Sequence, residues 1–150
     1  MKIKKLELNE QMPIQLLLEA DPSEQLIMDY VQKGECYVAE IDQQVIGAYV
    51  LLEKTIETIE IKNIVIKDEF RGQGLGKKLL LHSIKQARKK GYQALDVGTG
   101  NSSIGQLAFY QKCGFRMIGV DLDFFTRHYS EVIIENGIQC RDMILLRMGL

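Results

Sequence analysis

A mixed β-sheet with helices packed on its faces is the fold class this sequence predicts, and three patterns predict it. Two extended apolar segments, Cys36 to Ile41 and Val45 to Glu53, flank the short polar stretch Asp42-Gln43-Gln44, as in an antiparallel hairpin. From Ile56 onward extended segments alternate with helical ones, the pattern that lays helices on a sheet. Within that alternation Leu75, Leu79, Leu80, Ile84 and Ala87 recur at helical spacing, while Lys77, Lys78, Lys85, Arg88 and Lys89 fall largely elsewhere on the wheel. This helix has one face to bury.

Taken in order, Lys2 to Leu8 sets Ile3, Leu6 and Leu8 in imperfect alternation and predicts a first strand. Asp21-Pro22-Ser23-Glu24 is a helix start, with Asp21 as cap, Pro22 at the first helical position and Glu24 where a capping box puts its carboxylate. That helix runs to Lys33 and Gly34 ends it. Ile56 to Ile66 alternates Ile56, Ile59 and Ile61 with acids and closes on Ile64-Val65-Ile66, as a strand does when both faces are buried. The amphipathic helix ends at Gly91, and Ala94 to Gly98 forms a strand. Asn101-Ser102-Ser103 caps a helix from Ile104 to Cys113 that Gly114 closes; Phe115 to Leu122 and Asp142 to Met148 are the final strands.

A chain of 150 residues fits one domain, residues 1–150, able to bury roughly two thirds of its unfolded surface. With 46% apolar and 26% charged residues it has the composition of a folded globular protein. A net charge of −1 supplies no basic field for nucleic acid. The longest apolar run, Val45 to Leu52, is far short of the roughly 20 residues that span a bilayer, and no apolar signal core follows Met1-Lys2-Ile3-Lys4-Lys5. A cytoplasmic protein is expected. Cys36, Cys113 and Cys140 lack the spacing of a disulfide framework or zinc site, and His82 and His128 stand too far apart for a histidine cluster, so no metal is expected.

The string with most chemistry is Arg71-Gly72-Gln73-Gly74-Leu75-Gly76, between an apolar strand and a helix. A helix start leaves backbone N–H groups unpaired, its dipole adds partial positive charge, and residues without a Cβ let an anion approach closely. Arg71, Lys77 and Lys78 supplement that attraction. The same glycines also suit a tight connection and nothing more. A phosphate-binding P-loop fails on spacing, because Arg71 stands where its first glycine belongs and Lys78 where its hydroxyl belongs. A dinucleotide fingerprint fits poorly: its third glycine is Lys77 here, and Lys67 to Arg71 intervene after the strand, although Asp96 lies at about the right distance for a ribose contact.

The string resembles the Arg/Gln-x-x-Gly-x-Gly/Ala motif of the GCN5-related N-acetyltransferase (GNAT) superfamily, with every fixed position filled. Phe109-Tyr110-Gln111-Lys112-Cys113-Gly114-Phe115 resembles the family's second cofactor motif, and the likeness spans about Val45 to Gly119. The resemblance implies the acyl-CoA N-acyltransferase fold: a central mixed, mostly antiparallel twisted sheet of about six to seven strands flanked by about four helices. It also implies acetyl-CoA as donor, a primary amine of a small molecule or peptide as acceptor, direct transfer in a ternary complex, and a homodimer.

By that resemblance Ile64, Val65 and Ile66 offer strand amides to the donor, where a backbone N–H stabilises charge developing on the carbonyl oxygen. Arg71, Gly72, Gln73, Gly74, Leu75, Gly76 and Lys77 hold its phosphates, and Asn101 its pantetheine arm. Tyr110 matches the position that protonates the departing thiolate, although its spacing also suits plain core packing. Glu60 matches a position where relatives carry a catalytic base, with Lys62 on the same strand face favouring its ionised form; a relayed water is the alternative. The stretch after Leu122 mixes acids with aromatics, and Asp123, Phe125, His128 and Tyr129 are its candidate acceptor contacts. A chain that only binds acyl-CoA as a sensor would need the glycine turn but neither Tyr110 nor Glu60.

Overall fold

The computed structural model describes residues 1–150. A seven-stranded sheet forms its centre, and a two-stranded hairpin and five α-helices accompany it. In chain order the elements are β1 (Lys2–Lys5), α1 (Ile14–Ala20), α2 (Glu24–Lys33), β2 (Glu35–Ile41), β3 (Gln44–Glu53), β4 (Thr58–Ile66), α3 (Leu75–Lys89), β5 (Ala94–Gly100), α4 (Ile104–Lys112), β6 (Arg116–Asp121), α5 (Phe124–His128), β7 (Ile134–Glu135), β8 (Ile138–Gln139) and β9 (Met143–Gly149). The sheet order is β1-β2-β3-β4-β5-β9-β6, antiparallel everywhere except between β4 and β5. The mixed, mostly antiparallel sheet expected from the sequence is present.

Helices cover the sheet in two groups. α3 and α4 pack on one face, where Leu79, Leu80, Ile84 and Tyr110 meet Tyr49, Ile59, Ile61, Leu95 and Leu146. α1 and α2 pack on the other, where Leu16, Leu17, Ile27 and Tyr30 meet Val38, Ala48, Val50 and Val65. A β-bulge at Lys62 lets β4 serve both groups: Val50 pairs with Asn63 but Leu51 with Ile61, so one residue of β4 is unmatched. Strand alternation restarts there. Ile59, Ile61, Ile64 and Ile66 all pack with the α3 side, while Val65 packs with the α1 side and Asn63 bonds to Leu17 and Tyr30 there.

Several local expectations need correction. The first strand stops at Lys5, and α1, unforeseen, begins after Pro13 with no side-chain cap and no acid in its first turn. Its place is decided by burial of Leu16 and Leu17. The cap of α2 is Ser23, whose Oγ accepts from Leu26 N–H at 3.2 Å; Asp21 accepts from Ser23 N–H at 3.1 Å instead of capping. Ser103 caps α4 in position only, since its hydroxyl donates to Glu135 and not back to the helix. Asn101 likewise leaves the helix entry: its Nδ2 donates to Gln139 O, and its Oδ1 accepts from the N–H groups of Arg141 and Asp142. After Leu122, α5 and the β7–β8 hairpin occupy a stretch with no predicted element. Asn136 (φ 55°) and Gly137 (φ 73°) turn that hairpin.

Gly34 does end α2, and close packing, not backbone conformation, requires glycine there. Its φ is −105°, which any residue adopts; a Cβ there would collide with the backbone carbonyl oxygen of Leu51. Gly34→Ala is expected to cost about 1–3 kcal/mol, read as a lower urea midpoint at unchanged slope.

On the sheet's β5–β9 side, Asp96 is 3% exposed and takes two bonds from Arg147, at 2.7 and 3.0 Å, and one from Lys54 at 3.0 Å. Burial alone would raise its pKa, but the bonds from Arg147 and Lys54 outweigh burial and hold the carboxyl below its ordinary value. A carboxyl depressed in the folded chain adds stability above the unfolded value, near pH 3.9, and loses it as pH falls through the folded value. Asp96→Asn should therefore shrink the drop in stability between about pH 6 and about pH 2. Urea melts at both ends check this, and an unchanged drop would refute it.

Candidate functional site

The parallel pairing of β4 with β5 runs only from Thr58↔Ala94 to Ile61↔Val97. Beyond it β4 stays with β3 as far as Ile66↔Gly47, and β5 stays with β9 as far as Gly100↔Met143. The two strands part, and the gap opens a cleft of about 790 Å³ that reaches both faces of the sheet. Its backbone edges have lost their strand partner, so amides and carbonyls there are free to bond a ligand. Gly98 keeps the β5 edge slim: a Cβ would lie 2.5 Å from Met143 Sδ.

One end of the cleft is the glycine turn. Gly72 and Gly74 both have φ +77°, and nothing lies within 4 Å of where either Cβ would stand. The first backbone bond of α3 is Lys78 N–H to Gly74 O, which leaves the amides of Leu75, Gly76 and Lys77 without an intrahelical acceptor. No acid occupies that first turn. Arg71 is braced beside it, donating Nε–H to Ile66 O at 3.3 Å and pairing with Asp68 at 2.7 Å. An open helix start with a free glycine surface and basic neighbours fits a phosphate group.

In the middle stands Tyr110, on the last turn of α4 and 4% exposed, packed against Phe109 and Phe115 at ring separations of 5.5 and 5.8 Å. Burial pushes its phenol well above the ordinary tyrosine value, so it stays protonated. Opposite lie Ile64, Val65 and Ile66. Glu60 does not reach the cleft: it lies before the strands part, half-buried, 3.7 Å from Lys62.

The other end opens on the α1 side. There the Asp21 carboxylate accepts from Tyr129 Oη at 2.7 Å and from Tyr30 Oη at 3.1 Å, and Tyr30 in turn accepts from Asn63 Nδ2 at 2.9 Å. This network joins the α1–α2 link, β4 and the segment after α5.

Of the residues singled out from the sequence, Ile64, Val65, Ile66, Arg71, Gly72, Gly76, Tyr110, Phe125 and Tyr129 line the cleft. Gln73, Gly74, Leu75 and Lys77 belong to the turn beside it, Leu75 being buried in the core. Asn101 braces the 139–142 segment, Asp123 pairs with Arg141 at 3.2 Å, and His128 lies exposed against Phe124; none of the three lines the cleft. Sequence reasoning passed over Asp21 and Asn63. Asp21 looked like a cap, and the one available signal for Asn63 was a lone amide inside an otherwise apolar strand end.

The acetyltransferase (GNAT) family model matches residues 6–115. YvbK of Bacillus subtilis (strain 168), an uncharacterized N-acetyltransferase, is 51% identical over 135 residues, covering 90% of this chain and 87% of its own. A GNAT family acetyltransferase from Elizabethkingia anophelis with acetyl-CoA bound superposes with a TM-score of 0.98 at 48% identity, covering 99% of this chain and 97% of that one. A Bacillus subtilis acetyltransferase in complex with CoA gives a TM-score of 0.94 at 48% identity, covering 99% and 98%. With the family model matched over residues 6–115 and relatives about half identical to it over most of its length, the chain belongs to the GNAT family of acetyltransferases.

Proposed function

We propose that the chain transfers an acetyl group from acetyl-CoA directly to a primary amine of a small molecule or peptide, both held at once in the cleft. The observation that carries this reading is the gap between β4 and β5, which joins a phosphate-fitting helix start at one end to a carboxylate-bearing wall at the other. Three unpaired cysteines fit a reducing compartment, and we assign the reaction to the cytoplasm.

Acetyl-CoA supplies a thioester, whose carbonyl carbon is the electrophile. The free amides at the start of α3 and the glycine surface of Gly72 and Gly74 hold its phosphates, with Gln73, Lys77 and Arg71 at the rim and Asn101 steadying the far wall. The unpaired β4 edge at Ile64, Val65 and Ile66 aligns the arm and gives an N–H to the carbonyl oxygen as negative charge grows there. The neutral amine attacks with its lone pair, the C–N bond forms and the C–S bond breaks, and sulfur leaves with the bonding electrons. Tyr110 gives that sulfur its proton. The proton lost by nitrogen passes through water to Glu60, outside the cleft wall, and on to solvent, while the phenol is reprotonated from solvent, so the net reaction moves one proton from nitrogen to sulfur.

Tyr110→Phe should lower kcat by about 10²-fold or more while leaving acetyl-CoA affinity in place. Free-thiol release measures the first and calorimetry the second. Unchanged turnover removes Tyr110 from the reaction.

Gly74→Ala forces a Cβ onto a left-handed residue at a cost of roughly 1 kcal/mol and sets a methyl beside the free amides. Acetyl-CoA affinity should drop about tenfold, and full affinity would show that phosphate is held elsewhere. The reading as a whole is tested by acetyl-CoA binding together with thiol release across a panel of amines. Binding without turnover on any amine would leave a donor-binding module and overturn transfer.

A further inference from the structure

At the α1 end of the cleft the chain leaves one buried polar atom unsatisfied. Asn63 is 5% exposed and lines the cleft, yet its Oδ1 has no hydrogen-bond partner. The orientation of the amide follows from its neighbours: Leu17 O, 3.0 Å away, can only accept, so the nitrogen faces Leu17 and the carbonyl oxygen is the atom left without a partner. Tyr30 Oη accepts from the same nitrogen and gives its own proton to Asp21 Oδ2. Tyr129 Oη and Ser23 N–H both donate to Asp21 Oδ1.

The donors that hold Asp21 are all neutral. Unlike Asp96, Asp121 and Asp123, it has no ion pair. Lys62, which also lines the cleft, lies over the Tyr30 ring at 5.9 Å and pairs with Glu60. Glu19 of α1 lines the cleft too, whereas Arg71 marks the glycine end. Burial and the Asp21 charge hold both tyrosines protonated as donors. A network whose task was only to tie loops together would gain nothing from an orphan acceptor at its inner end. A ligand with N–H donors answers both features, the orphan oxygen and the unpaired carboxylate.

We infer, building on the amine transfer proposed above, that this wall is the acceptor subsite and selects a small aliphatic diamine or polyamine. Asn63 Oδ1 takes an N–H of the amine that is acetylated, and Asp21 takes a second, cationic nitrogen of the same molecule. The two groups are linked through Tyr30, so the protein fixes the spacing it reads. Tyr129, donating to Asp21 from the segment after α5, closes this end over a small molecule. It acts as a positioning residue.

The test uses three acceptors of one length that differ only in the far group: 1,4-diaminobutane, n-butylamine and 4-aminobutanoate. The wild-type chain should favour the diamine over butylamine by about tenfold or more in kcat/KM, with the amino acid poorest. In Asp21→Asn the diamine-to-butylamine ratio should fall toward one, and Tyr129→Phe should lower it part of the way; acetyl-CoA affinity, read by calorimetry, should hold in both. Binding of the same three molecules to the CoA-loaded chain should show the same order without any turnover. Turnover with no preference among the three, or a preference that survives Asp21→Asn, overturns the inference while leaving amine transfer intact. Cation-selective binding without thiol release supports the subsite and instead sinks the transfer reaction.

Discussion

The separation of β4 from β5 is the constraint on which the rest of this molecule depends. A parallel pair has no hairpin to hold it together, and here each strand is bound along its length to a different antiparallel neighbour, β4 to β3 and β5 to β9. Once the twist of those two partnerships diverges, the central pair has only the span from Thr58 to Ile61 to keep it closed. The gap is therefore stable without being filled by side chains. The bulge at Lys62 falls where the opening begins, and it turns Asn63 to the α1 side while Ile64 and Ile66 stay with α3. One unmatched residue thus divides the cleft into an apolar wall and a polar one.

That division explains what was legible in the sequence. The glycine turn and Tyr110 could be placed at the cleft because they sit in local strings, a strand-to-helix connection and a helix end, whose spacing survives in one dimension. The hairpin of β2 and β3, the amphipathic α3 and the strands β5, β6 and β9 were likewise visible within a residue or two. Asp21 and Asn63 were not, because their meaning is tertiary: they are 42 positions apart in sequence and meet through Tyr30, and Tyr129 joins them from 108 residues beyond Asp21. Ser23, not Asp21, supplies the cap, which frees Asp21 for the cleft. α1 was missed because it has neither cap nor first-turn acid, and its burial could not be known in advance. The β7–β8 hairpin was a different kind of miss, since Asn136-Gly137 is a local turn signal that the surrounding charges and aromatics obscured.

The cleft's two ends also differ in how they are made. The glycine end is backbone, so the phosphate contact proposed for it needs only the φ values of Gly72 and Gly74 and an uncapped helix start. The α1 end is mostly side chain, assembled from three separate parts of the chain and held by tyrosine hydroxyls, the Asn63 amide and the Ser23 N–H. A common donor with variable acceptors is the expected outcome of such a division, because the two halves of the cleft draw on different physical resources.

Burial serves both reactants of the proposed transfer in the same way. In a site with little water the neutral form of every titratable group is favoured, whatever its charge when ionised. For Tyr110 that means retention of the proton, as the direction of its pKa shift records. For an acceptor amine beside Asn63 it means loss of the proton, since the ammonium is the form that desolvation penalises, and an amide oxygen stabilises an N–H without demanding a full positive charge. A second ammonium at Asp21 acts in the same direction, because a nearby like charge lowers the pKa of the reacting nitrogen. A strong base at the reacting atom is then unnecessary, which fits Glu60 lying outside the cleft wall. The departing sulfur meets the same low dielectric, so its affinity for a proton rises along with that of the phenol and the two remain matched. One cause, burial of groups along the gap between two strands, keeps the acid protonated and favours the neutral form of a bound amine.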